Sequence, residues 1–142
     1  MAVIVDYAHT PDGIKAATDA ARGAVAGKVI VVFGAGGDRD HGKRPLMGAA
    51  ASAADIVVIT NDNPRSEDPA EIAQQIASGV AAPRTIVDLD RRSAIFEAVR
   101  LAEPGGVVLI LGKGHEQGQV FGDRTVPFDD RDVALQALEA RP

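Results

Sequence analysis

Lys28-Val29-Ile30-Val31-Val32-Phe33, running straight into Gly34-Ala35-Gly36-Gly37-Asp38-Arg39-Asp40, is the segment on which the fold turns. The run is short, rich in Val and Ile, and apolar on both faces. That pattern belongs to a strand of a buried parallel sheet. The glycine-rich, charged segment behind it reads as a strand-to-helix connection. Four further runs have the same character: Ala2-Val3-Ile4-Val5, Ile56-Val57-Val58-Ile59-Thr60, Thr85-Ile86-Val87 and Val107-Val108-Leu109-Ile110-Leu111.

Helical patterns separate the runs. Thr10-Pro11 reads as an N-cap followed by proline at the first helical position, with Ile14, Ala17, Ala21 and Val25 marking one face. Residues 43–54 are small and alanine-rich, suited to close packing on a sheet. Asp68-Pro69-Ala70-Glu71 has capping-box spacing, followed by Ile72, Ile76 and Val80. Asp90 can cap a helix facing inward through Ile95, Ala98, Val99 and Ala102, with Pro104-Gly105-Gly106 as its stop. A last helix is expected over about Asp130–Ala140, with Val133, Ala134 and Ala137 inward. Before it, Gln119-Val120-Phe121 and Arg124-Thr125-Val126 flank Gly122-Asp123 and read as a hairpin. The expectation is an α/β fold: a three-layer, Rossmann-like domain with a mostly parallel sheet and a C-terminal β-hairpin.

Composition bounds the function. The chain has 142 residues, the size of one ordinary domain, and 46% apolar and 25% charged residues. No run approaches the roughly 18 apolar residues of a membrane helix, so no membrane role is expected. With no cysteine, thiolate metal sites and cysteine nucleophiles are excluded. Three histidines argue against a histidine-rich metal cage, and a net charge of −5 argues against a general nucleic-acid binder. Asp6 ends the first apolar run far too early for a secretion signal, so a cytoplasmic location is expected.

In open α/β sheets, ligands bind beyond the carboxyl ends of the strands. Four polar segments belong there: Asp6-Tyr7-Ala8-His9-Thr10-Pro11, Gly34 to Asp40, Asp62-Asn63-Pro64-Arg65, and Gly112-Lys113-Gly114-His115-Glu116. Two familiar motifs fail. The third glycine of a dinucleotide fingerprint is Arg39, too large for close helix–strand contact. Gly37, Gly42 and Lys43 match a P-loop, but Arg44 stands where Ser or Thr would hold magnesium, and Asp38 and Asp40 would repel phosphate. The rest is constructive. Pro64 stiffens the backbone around Asn63 and Arg65, and arginine binds carboxylates through paired hydrogen bonds. Glu116 can accept an ammonium. Asp6 sits where a ribose hydroxyl is often bound, or merely makes an Asx turn before Thr10. Together Arg39, Arg65, Asn63 and Glu116 suit a zwitterionic ligand such as a free amino acid.

The four loops, with Gly42-Lys43-Arg44-Pro45, resemble in order and content the C-terminal domain of the Mur ligases of cell-wall synthesis. The likeness covers essentially the whole chain, and Asp-Asn-Pro-Arg together with Gly-Lys-Gly-His-Glu is its specific part. The resemblance implies an ATP-dependent amide ligase that phosphorylates the carboxylate of a UDP-N-acetylmuramoyl dipeptide, L-alanyl-D-glutamate in its peptide part. The amine of the third amino acid then attacks the acyl phosphate. The Asp-Asn-Pro-Arg form is similar to enzymes adding meso-diaminopimelate; lysine-adding relatives usually lack its Arg.

By the same resemblance, Asn63 and Arg65, with Asp62 beside them, would hold the distal carboxylate of meso-diaminopimelate and Arg39 the proximal one. Glu116 and the Gly112 carbonyl would take the distal ammonium. Asp6, Tyr7 and His9 would lie at ATP. No residue of this chain takes a catalytic or metal-ligating role, because the P-loop and Mg2+ ligands belong to a central domain and the UDP-sugar to an N-terminal one. Residues 1–142 are expected to be a single C-terminal domain without those two, inactive alone. The alternatives are a domain of a ligase adding lysine or another diamino acid, and a non-catalytic amino-acid or nucleotide-binding module.

Overall fold

A computed structural model describes residues 1–141. In chain order the elements are β1 (Ala2–Asp6), α1 (Pro11–Ala24), β2 (Val29–Phe33), α2 (Lys43–Ala50), β3 (Ile56–Ile59), α3 (Pro69–Ala77), β4 (Arg84–Val87), α4 (Arg91–Leu101), β5 (Val107–Leu111), β6 (Gly118–Phe121), β7 (Arg124–Pro127) and α5 (Asp130–Glu139). The first five strands in space run β1-β5-β2-β3-β4, every pair parallel. The last two form the expected antiparallel hairpin, turning at Gly122.

The period-two alternation of β2, β3 and β5 divides the core in two. Val29, Val31, Phe33, Val57, Ile59 and Leu109 point to one face with Ile14, Met47, Ile72 and Ile76. Ile30, Val32, Ile56, Val58, Val108 and Ile110 point to the other with Ile95, Ala98, Val99 and Val133. Thus α1, α2 and α3 cover one face and α4 and α5 the other, as a three-layer domain requires. The expectation of strands buried on both faces holds for β2, β3 and β5. It fails for β1 and β4, which lie at the two edges; Ile4 is 47% exposed.

The caps follow the sequence closely. Thr10 Oγ1 accepts from Gly13 N at 3.1 Å, Asp68 from Ala70 N and Asp90 from Ser93 N. Two details differ, in α2 and at Val80. The helix expected over 43–54 stops at Ala50, because residues 51–54 turn back to bring Asp55 onto the start of β2. There the Asp55 carboxylate accepts from Val29 N at 2.8 Å and pairs with Arg22 at 2.6 Å. Those bonds, the Val29 amide first, hold its pKa below the ordinary carboxylate value. Val80 lies beyond the end of α3, yet still packs on the first core. The cap of α5 is Asp129, which frees Asp130 to be buried.

This topology positions the site. β5 is inserted out of sequence order between β1 and β2, so the loops after β1, β2, β3 and β5 emerge together at the carboxyl edge of the sheet. Such a switch in strand order opens a crevice. Arg91, the first residue of α4, seals the structure beneath it. Its guanidinium grips the Asp130 carboxylate at 2.7 Å twice, both side chains fully buried, and donates to the carbonyls of Asn61 and Leu111. Those carbonyls directly precede Asp62 and Gly112.

Candidate functional site

A cleft of about 420 Å³ lies at that edge, lined among others by Tyr7, His9, Arg39, Asn63, Arg65 and Glu116. Its walls are loops that brace one another. Gly37 N donates to the Asn63 carbonyl at 2.7 Å, and a Cβ on Gly37 would stand 1.7 Å from the Pro64 carbonyl oxygen. Only glycine lets the loop after β2 dock so closely on the loop after β3.

Arg44 fastens the same junction. Buried at the start of α2, it holds both Glu67 carboxylate oxygens at 2.8 Å and donates to the Gly36 carbonyl at 3.0 Å. Glu67 also accepts from Asp38 N. These bonds, Arg44 foremost, lower the Glu67 pKa from 4.5 to about 2.

Arg65 carries the clearest local strain. Its φ is +54°, the left-handed region that a non-glycine residue rarely adopts. The hairpin holds it there: Arg65 N donates to the Val120 carbonyl at 2.9 Å, and Gly122 N donates to the Arg65 carbonyl at 2.7 Å. The guanidinium donates to the Gly37 carbonyl at 3.0 Å, so it lies across the cleft wall with donors to spare. Buried Gln119 completes the support by donating to the Asp62 carbonyl at 3.1 Å. The hairpin, which interrupts the strand–helix alternation of the sequence, is thus the clamp on the Asp62–Arg65 loop.

The residues singled out in the sequence fall as follows. Arg39, Asp62, Asn63, Arg65, Gly112 and Glu116 all line the cleft. Arg39 is exposed at its rim, and its guanidinium donates to the Asp38 carbonyl at 3.1 Å. Asp62 is buried and paired with Lys113 at 3.2 Å. Gly112 has φ +110°, and a Cβ there would stand 2.8 Å from Asp62 Oδ2. Glu116 is half-buried, 3.6 Å from Lys113 Nζ.

Tyr7 and His9 form an edge-to-face pair with ring centres 4.8 Å apart, with His115 at 6.4 Å from Tyr7. Asp6 stands apart from the cleft lining, and its carboxylate accepts from Ala8 N at 3.0 Å, as in an Asx turn. Sequence reasoning assigns no role at the site to Lys113, Arg44, Glu67, Gln119 or Arg91. The available signals were weak: a lysine between two glycines, and charged residues on helix first turns that read as solvated.

The chain that carries this edge has relatives among known proteins. Residues 1–114 match the family model described as the Mur ligase, glutamate ligase domain, and the chain belongs to the Mur ligase family. It is similar to the UDP-N-acetylmuramoyl-L-alanyl-D-glutamate--2,6-diaminopimelate ligase of Caulobacter vibrioides, 57% identical over 136 residues. That match takes in 95% of this chain and 28% of the relative.

A solved structure of a ligase of the same name superposes with a TM-score of 0.90 at 40% identity, over 97% of this chain and 29% of that one. A crystallised domain from a Haemophilus ducreyi protein, described as a UDP-N-acetylmuramate:L-alanyl-gamma-D-glutamyl-diaminopimelate ligase, matches with a TM-score of 0.58 at 25% identity. The match covers 79% of each. The chain therefore spans a little over a quarter of the length of the curated relatives it matches. Among the described residues no helix is long and apolar enough to cross a membrane.

Proposed function

We propose that this chain is the C-terminal, amino-acid-binding domain of an ATP-dependent, cytoplasmic ligase that adds meso-diaminopimelate to UDP-N-acetylmuramoyl-L-alanyl-D-glutamate in peptidoglycan synthesis. Residues 1–142 form one domain, and the UDP-sugar-binding and ATP-cleaving domains belong to the rest of the protein. The observation that carries the reading is the convergence of Arg39, Asn63, Arg65, Gly112 and Glu116 on one cleft. The names of the relatives support it.

The ligand has two carboxylates and two amines. Asn63 and Arg65 take the distal carboxylate, beside Asp62. Glu116 and the Gly112 carbonyl take the distal ammonium. Arg39, free to swing at the rim, takes the proximal carboxylate. This leaves the reacting amine directed out of the cleft, towards an acyl phosphate formed on the dipeptide by the rest of the ligase. Each charge-assisted bond shielded from water contributes on the order of 1.5–3 kcal/mol. Holding the amine in a fixed pose converts an encounter between two solutes into a step within one complex.

Tyr7 and His9, with Asp6 beside them, face ATP on closure. The Mg2+ that the resemblance implies is held mainly by the ATP-cleaving domain. The chain holds half a site and is expected to be inactive alone.

The test is steady-state kinetics of the full-length ligase with Arg65→Ala. The expected result is a KM for meso-diaminopimelate raised tenfold or more with the KM for ATP unchanged. An unchanged KM for the amino acid would overturn the assignment.

A further inference from the structure

Lys113 is fully buried, yet its ammonium meets three cleft residues at once: Asp62 Oδ1 at 3.2 Å, Asn63 Oδ1 at 3.0 Å and Glu116 Oε1 at 3.6 Å. The middle contact has a consequence for recognition. Asn63 Oδ1 also accepts from Val120 N at 3.0 Å. A lysine ammonium and a backbone N–H are donors only. A carboxamide turned the other way would set its NH2 against both of them. Between them, these donors decide which end of the Asn63 amide faces the protein.

We infer that Lys113 is the positioning residue that fixes the polarity of the Asn63 carboxamide, so that Nδ2 is the atom presented to the ligand. Among the described residues, Nδ2 makes no hydrogen bond within the protein, which leaves both of its hydrogens for an acceptor. A donor beside the Arg65 guanidinium selects a carboxylate over a neutral or cationic group. Lys113 thus makes the cleft wall a two-donor surface without touching the ligand. This role of Lys113 rests on the assignment of Asn63 to the distal carboxylate.

The test is a double-mutant cycle in the full-length ligase, using Lys113→Met, Asn63→Ala and both together, with meso-diaminopimelate and L-lysine as acceptors. L-lysine lacks the distal carboxylate. Lys113→Met is expected to raise the KM for meso-diaminopimelate at least tenfold, with kcat and the KM for ATP changed less than threefold. Its effect on L-lysine is expected to be small, so the preference between the two acceptors collapses. On the Asn63→Ala background the second substitution should add less than twofold, because its effect passes through Asn63.

Additive effects, or equal losses for both acceptors and for ATP, would show a merely structural lysine and overturn the inference. Should Lys113→Met fail to fold, Asn63→Asp decides the matter. It keeps an acceptor for Lys113 and Val120 while presenting an oxygen to the ligand, and must lose the preference; retention overturns the inference. If Asn63→Ala and Arg65→Ala both leave the KM for meso-diaminopimelate untouched, the underlying substrate assignment fails instead.

Discussion

Asp130→Ala probes the joint that holds the floor of the cleft. In the folded chain the Asp130 carboxylate receives Nε and Nη2 of Arg91, both at 2.7 Å, with neither side chain exposed. Removing it strands a guanidinium in the interior with two carbonyl acceptors, Asn61 at 2.9 Å and Leu111 at 3.2 Å. Breaking a buried pair in this way costs about 3–5 kcal/mol, far more than losing a surface pair.

At an unfolding entropy of about 2.1 cal/mol/K per residue, that loss lowers Tm by roughly 10–17 °C for a chain of this length. Urea unfolding followed by circular dichroism measures it directly. Replacing the pair as a unit, Arg91→Met with Asp130→Leu, should recover most of the lost stability, because no buried charge is then left alone. A loss below about 1 kcal/mol for Asp130→Ala would refute the reasoning, since a pair worth so little behaves as a solvated one.

The remaining predictions concern the loops. Glu67 has its pKa lowered from 4.5 to about 2, chiefly by Arg44. Its stabilising contribution is therefore complete above about pH 4.5 and is lost as the pH falls towards 2. Denaturant titrations across that range should show Glu67→Gln less stable than the parent at pH 6, with the gap closing towards pH 2; a gap independent of pH would contradict the Arg44–Glu67 account. Gly112→Ala should destabilise by about 1–3 kcal/mol, because it sets a side chain at φ +110°. It should also weaken amino-acid binding, since the new Cβ presses on Asp62; unchanged unfolding and unchanged KM would show that the loop tolerates it.

Much of this architecture is legible from local pattern. Val–Ile runs mark the strands, and Thr10, Asp68 and Asp90 mark helix starts, because each signal depends on neighbours within a few residues. The order of strands is a different matter. Nothing in the aliphatic run Ala2-Val3-Ile4-Val5 tells that it will lie at an edge. The pairs that shape the site are also remote in sequence: Lys113 finds Asp62 across 51 positions, and Arg91 finds Asp130 across 39.

A charged residue on the first turn of a helix reads as solvated until its partner is known, which is why the sequence alone assigns Arg44 and Arg91 no structural role. Of the adjacent pair Asp129 and Asp130, only the second is buried, and that choice is made by Arg91 rather than by the local sequence. The cleft-lining loops were recognisable because glycine, proline, arginine and asparagine in close succession are rare outside built turns. Their mutual docking, through Gly37 against Pro64 and Arg65 against the hairpin, was not.

The central claim is that the cleft recognises an amino acid with a second, distal carboxylate. The measurement that tests it most directly is the ratio of kcat/KM for meso-diaminopimelate to that for L-lysine, taken on the unaltered full-length ligase. Two charge-assisted donors left without their acceptor should make that ratio at least about a hundredfold in favour of meso-diaminopimelate. A ratio near one would contradict the account.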